Sequence, residues 1–128
     1  MHTPERSTVT VLIADDDTLV RGVLRTALSR AGYRVIEARD GADVIAASAE
    51  HEPDLVVLDI NMPGGSMQDT LGSLRQCDPG LPVLVLSGHL LPPDGTVGPL
   101  TDFASKPIDL DDFLARVKRL LDVVVGSP

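Results

Sequence analysis

Apolar residues along this chain follow two alternating rhythms. Short, nearly unbroken aliphatic runs occur at Val9–Ala14 ("VTVLIA"), Leu55–Leu58 ("LVVL") and Val83–Leu86 ("VLVL"). Continuous Val/Ile/Leu of that length is the pattern of strands buried on both faces of a parallel sheet. Tyr33–Ala38 ("YRVIEA") is more mixed and suits an edge strand, and Asp102–Ser105 ("DFAS") is a short fifth candidate.

Between these runs the spacing becomes helical. Residues 18–33 place Leu19, Val20, Val23, Leu24, Ala27 and Leu28 at helical intervals, with Asp17 or Thr18 as the cap and Gly32 as a stop. A second helix is expected after Asp40, ending before Pro53. A third follows in "SMQDTLGSLRQCDPG", weakened by Gly72 and ended near Pro79. The strongest is "DLDDFLARVKRLLDVVV". There Leu110, Phe113, Leu114, Val117, Leu120, Leu121 and Val124 form one stripe, and acids occupy the first turn, where they complement the helix dipole.

Strand alternating with helix predicts βαβ units, hence a parallel sheet with right-handed crossovers and helices on both faces. One stretch breaks the rhythm. "SGHLLPPDGTVGPLTDF" follows the fourth strand and carries Pro92, Pro93, Gly95, Gly98 and Pro99. Each proline in a helix interior costs about 3 kcal/mol and each glycine about 1. The expected helix is therefore degenerate or missing over residues 88–101. One domain is expected over residues 9–125, with loose tails at 1–8 and 126–128.

Composition narrows the classes. A length of 128 residues with 43% hydrophobic content supports a single core, and with only Tyr33, Phe103 and Phe113 as aromatics that core is aliphatic. The net charge of −8 disfavours a nucleic-acid partner and permits a divalent cation or a basic protein surface. Charge and length together lead to the expectation of no DNA-binding output domain. Cys77 is alone, which excludes a disulfide framework, points to a reducing cytoplasmic setting, and reads as an inert helix-end residue. No run has the length of a membrane span, and the opening "MHTPERSTV" lacks the apolar core of a signal peptide, so none is expected. His2, His51 and His89 are scattered and suggest no metal site; His89, two residues beyond Ser87, reads as solvent-exposed.

The chemistry gathers at the strand ends. The first strand runs into Asp15, Asp16 and Asp17, the third into Asp59, the fourth into Ser87, and the fifth into Lys106 and Pro107. In open parallel sheets ligands bind outside the carboxyl ends of the strands. Asp15, Asp16 and Asp59 would converge there, and clustered carboxylates repel unless a cation sits among them. A hard, oxygen-rich site with few ligands suits Mg²⁺ (or Mn²⁺) and leaves room for a phosphoryl oxygen. Lys106 and the Ser87 hydroxyl would hold the remaining oxygens of that group. A carboxylate can itself be the nucleophile. Asp59, standing alone at its strand end, is the candidate, and the paired acids are the metal ligands.

Four segments, "VTVLIADDDTLVR", "PDLVVLDINMPGG", "LPVLVLSGH" and "DFASKPIDLDDFL", resemble the signature segments of the response-regulator receiver domain, in order and over roughly residues 9 to 124. The resemblance implies a flavodoxin-like sheet of order 2-1-3-4-5. It implies Asp59 as phosphoacceptor, Mg²⁺ bound by Asp16 and Asp59, Asp15 helping through water, and the backbone carbonyl of Asn61 completing the set. Ser87 and Phe103 would form a switch pair, Lys106 would pair with a phosphoryl oxygen, and the Lys106–Pro107 bond would be cis. The implied donor is a sensor histidine kinase or histidine phosphotransfer protein. The downstream protein target is unnamed, no nucleic acid or membrane is expected, and the chain would be a monomer or a weak phosphorylation-dependent dimer. It would be a stand-alone regulator, a phosphorelay intermediate, or one receiver of a hybrid kinase or larger regulator. The departure is "HLLPPDGTVGPL", where receivers carry a helix of the face that rearranges.

Two rivals remain. "ADDDTL" is similar to the start of haloacid-dehalogenase-type phosphatases, in which Asp15 would be the nucleophile. This chain lacks the glycine expected after the second aspartate, the acidic pair after a fourth strand, and a cap. A receiver-like scaffold that is never phosphorylated is the other, against which the complete acidic, Ser and Lys set argues.

Overall fold

In the computed structural model, residues 8–60, 67–88 and 100–125 are described, the side chains of residues 67, 68, 124 and 125 excepted. The aliphatic runs become strands β1 (Thr10–Ala14), β3 (Leu55–Asp59) and β4 (Val83–Ser87); the mixed run becomes β2 (Arg34–Ala38), and β5 is Thr101–Ser105. All pairs are parallel, in the order β2-β1-β3-β4-β5. Every residue of β3 and β4 is buried, whereas β2 and β5 at the edges are partly exposed. The continuous and the mixed runs thus report central and edge positions.

Side chains alternate across the sheet and separate two cores. Val11, Ile13, Leu55, Val57, Leu84 and Leu86 pack against helices α1 (Thr18–Arg30) and α4 (Leu110–Val125). Leu12, Ala14, Val56, Leu58, Val83 and Val85 pack against α2 (Gly41–His51) and α3 (Met67–Cys77). Helices on both faces of a parallel sheet make the fold α/β and doubly wound, the flavodoxin-like arrangement. Phe113, fully buried on α4, fills the first core.

Helix ends follow local chemistry. Asp17 is the N-cap of α1, its Oδ1 accepting the Leu19 and Val20 N–H groups at 2.9 and 3.3 Å. Asp40 caps α2 by accepting the Asp43 N–H at 2.8 Å. Gly32 terminates α1 with φ of 98°, a left-handed value that glycine adopts without a Cβ clash. Asp17→Ala is expected to lower the unfolding free energy by about 1 kcal/mol, the usual cost of a lost N-cap; urea denaturation in Mg²⁺-free buffer measures it.

The apolar positions of α1 divide between core and solvent, and the helix count fits a degenerate or missing helix after β4. In α1, Leu24 and Leu28 are buried but Leu19 and Val23 are 80% and 52% exposed. The apolar stripe is wider than the face the sheet can cover, and Arg21 takes an inward place instead. Four helices occur among the described residues. The expected helix-poor stretch of 88–101 lies mostly outside them: Gly88 is a bend and Leu100 a turn. No helix among the described residues is long and apolar enough to cross a membrane.

Candidate functional site

The site is built by register. Ala14 of β1 lies opposite Leu58 of β3, so the next residues, Asp15 and Asp59, are neighbours at adjacent strand ends. Both continue the alternation of the face that packs on α1 and α4, and both are buried, at 0% and 3% exposure. Asp16 is exposed beside them. One oxygen from each of the three carboxylates lies within 4.8 Å of the other two. The predicted convergence of two separate segments is therefore met.

Lys106 reaches into this group from the end of β5. Its Nζ stands 3.2 Å from Asp59 Oδ1 and 3.4 Å from Asp15 Oδ2. The strand that delivers it is fastened on both sides. Arg116 of α4 donates to both oxygens of Asp102 at 3.0 and 3.2 Å, and Arg75 of α3 donates to Thr101 Oγ1 at 2.8 Å. The Lys106 N–H donates to the Ser87 carbonyl at 2.8 Å, tying the end of β5 to the end of β4. The Lys106–Pro107 bond is cis, as expected.

The electrostatics are those of an acid-rich pocket with one ammonium. Burial pushes the Asp15 pKa up and the nearby Asp59 charge adds to it, while the Asp17 N–H and Lys106 act the other way without cancelling the rise. Burial alone would lower the Lys106 pKa, but the facing Asp15 and Asp59 outweigh it and hold it above the ordinary lysine value. Asp15 Oδ1 accepts the Asp17 N–H at 2.9 Å. Its Oδ2 is buried and receives no formed hydrogen bond; the Lys106 ammonium at 3.4 Å is a charge contact only. A buried carboxylate oxygen left in that condition, inside a triad of acids, has the donor chemistry a hard divalent cation requires. The residues present fit Mg²⁺.

Ser87 is buried at the end of β4, one step past Leu86, the register partner of Asp59. Phe103 on β5 lies opposite Val85, partly buried against the α2/α3 core. Asn61 and His89 lie outside the described residues.

One residue of this neighbourhood escaped the sequence reading. Arg21 is 9% exposed and donates through Nη1 to the Asp15 carbonyl at 2.8 Å. Its position carries a signal: residues 21, 24 and 28 fall on one helical line, so an arginine heads the buried face of α1.

Comparison with known proteins agrees with this geometry. A family model described as the response regulator receiver domain matches residues 11–118. The probable transcriptional regulatory protein TcrX of Mycobacterium tuberculosis is 36% identical over 125 residues, a match covering 94% of this chain and 53% of that protein. The transcriptional regulatory protein KdpE of the same species is 40% identical over 111 residues, covering 84% of this chain and 49% of that protein. Thus the chain spans about half the length of these relatives. Among solved structures, the chemotaxis response regulator CheY4 of Vibrio cholerae superposes with a TM-score of 0.81 at 25% identity, covering 88% of this chain and 98% of that one.

Proposed function

The chain belongs to the response regulator receiver domain family, and from that membership we propose that Asp59 accepts a phosphoryl group from a phosphohistidine donor. The chain is a signalling domain of a two-component system. In the proposed step an Asp59 carboxylate oxygen attacks phosphorus. The P–N bond of the phosphohistidine breaks, and its electron pair returns to the departing imidazole. The observation that carries the reading is the meeting of Asp15 and Asp59 at one ammonium, 3.4 and 3.2 Å from Lys106 Nζ.

Asp16 and Asp59 would hold Mg²⁺ (or Mn²⁺), with Asp15 through water and the Asn61 carbonyl as further donors. The ion when bound supplies positive charge against the phosphoryl oxygens, the main requirement of phosphoryl transfer. Lys106 pairs with one phosphoryl oxygen, moving from its present carboxylate partners. Ser87 donates its hydroxyl to another, and Phe103 answers by packing further inward, which biases a two-state surface. Any catalysis serves the domain's own phosphorylation and dephosphorylation. Supporting partners are a sensor histidine kinase or histidine phosphotransfer protein and a downstream protein target, in a cytoplasmic setting, with the domain of residues 9–125 a monomer or weak phosphorylation-dependent dimer. The acidity of this segment supplies no nucleic-acid contact of its own. The phosphatase alternative is not favoured: the family model that matches residues 11–118 is that of the response regulator receiver domain.

The test is incorporation of phosphate from acetyl phosphate. Hydroxylamine-labile label that requires Mg²⁺ and disappears with EDTA is expected; label independent of divalent metal, or none, overturns the reading.

A further inference from the structure

We propose that Arg21 is a positioning residue for the metal-binding turn, its guanidinium fork fixing the Asp15–Asp16 peptide so that the Asp16 carboxylate faces Asp59. The proposal rests on the receiver reading above.

The starting point is a buried cation outside the acid pocket. Arginine is rarely buried unless its donors are used. Arg21 uses two in different directions: Nη1 donates to the Asp15 carbonyl at 2.8 Å, and Nε to Glu37 Oε1 of β2 at 3.1 Å. Glu37 is itself shared with Arg25, whose Nε lies 3.2 Å from Oε2. The guanidinium therefore bridges α1, the end of β1 and the neighbouring strand.

Its place is set by where the ladder stops. The last β1–β2 rung beyond the strands is the Asp15 N–H on the Ala38 carbonyl at 3.3 Å, and β2 ends at Ala38. The Asp15 carbonyl, at a residue with no exposed surface, has no further strand to pair with. Arg21 takes the place of the missing rung with a charge-assisted hydrogen bond.

That carbonyl belongs to the peptide leading into Asp16. The other two acids of the turn are held by their own side chains: Asp15 Oδ1 accepts the Asp17 N–H at 2.9 Å, and Asp17 Oδ1 accepts the Leu19 N–H at 2.9 Å. Among the hydrogen bonds of the described residues none restrains the exposed Asp16 carboxylate. Its direction is set by its backbone, and the plane of that backbone is what Arg21 grips. A lysine would keep the charge but not the fork that addresses the carbonyl and Glu37 together.

The experiment measures Mg²⁺ affinity of the whole chain by titration calorimetry, with thermal unfolding in EDTA as the stability reading. Four proteins are compared: wild type, Arg21→Met, Arg21→Lys, and Val117→Ala. The last is a core truncation on α4 outside the turn. Arg21→Met is expected to weaken Mg²⁺ binding by about tenfold or more, the usual loss when a partner that orients a ligand is removed. Val117→Ala is expected to lose stability and keep its affinity. Should Arg21→Met fail to fold, Arg21→Lys decides, and affinity below wild type supports the fork. Wild-type affinity in the folded Arg21 variants overturns the positioning role alone, as does an equal loss in Val117→Ala. A wild-type chain that binds no Mg²⁺ overturns both this role and the receiver reading, whereas one that binds Mg²⁺ but takes no label from acetyl phosphate, with Arg21→Met still weakened, overturns only the latter.

Discussion

Asp59→Asn is expected to abolish phosphate incorporation from acetyl phosphate, leaving label at the level of the reagent blank. The substitution keeps the volume and planarity of the side chain, and its carbonyl oxygen can still accept from Lys106, now 3.2 Å from Asp59 Oδ1. What it removes is the second oxygen's charge, and with it the nucleophile. The fold is not expected to suffer. Asp59 is 3% exposed and shares its site with the buried Asp15, so deleting one charge relieves a repulsion inside the domain. Loss of label in a variant that unfolds at or above the wild-type temperature therefore reports chemistry and not damage. The opposite outcome is equally informative: label retained in Asp59→Asn would move the covalent role to Asp15 and revive the phosphatase reading. Intact-mass spectrometry before and after hydroxylamine distinguishes the two.

The sequence carried the sheet further than the helices. β1, β3 and β4 are legible because a strand buried on both faces is apolar along nearly its whole length, with polar residues only at its ends. β2 betrays its edge by Arg34 and Glu37, which an interior strand would not tolerate. The caps at Asp17 and Asp40 are legible because a side-chain acceptor before a helix has a local partner. The helical spacing that includes Leu19 and Val23 does not tell which of its positions are covered, for a plain reason. Periodicity gives the direction of an apolar stripe, while its covered width depends on how the helix crosses the sheet. Arg21 was missed because hydrophobic pattern assigns charged residues outward, whereas the Asp15 carbonyl and Glu37 together hold its guanidinium inward. The acid cluster was inferred from position in the chain, but its closeness rests on the β1–β3 register, which no single segment encodes.

Asp15→Asn is expected to act in two opposite directions. Without metal, Asp15 is a load on the folded state. Burial raises its pKa above the ordinary 3.8, with the Asp59 charge adding to the rise. An acid whose folded pKa is raised binds its proton more tightly when folded. Its contribution therefore turns unfavourable as pH climbs from the unfolded value through the folded one, and the penalty is complete above that. Asparagine removes the charge and keeps an oxygen for the Asp17 N–H, giving up the 3.4 Å attraction between the buried Oδ2 and the Lys106 ammonium. A buried charged oxygen that receives no hydrogen bond costs about 1–3 kcal/mol, and 1 kcal/mol corresponds to roughly 4 °C in a domain of this size. A rise in Tm of at least that order is expected in EDTA near neutral pH, shrinking toward nothing as the pH falls below 3.8. With metal the sign reverses. One of three acids is gone, so affinity for Mg²⁺ should fall by about tenfold or more, and the extra stability that saturating Mg²⁺ lends the wild type should be largely missing. Thermal melts of both proteins, with and without Mg²⁺, would then cross: the variant higher without metal, the wild type higher with it. Parallel shifts in place of a crossing would mean that Asp15 takes no part in holding the ion, and that the acid cluster is a strained strand end and no more.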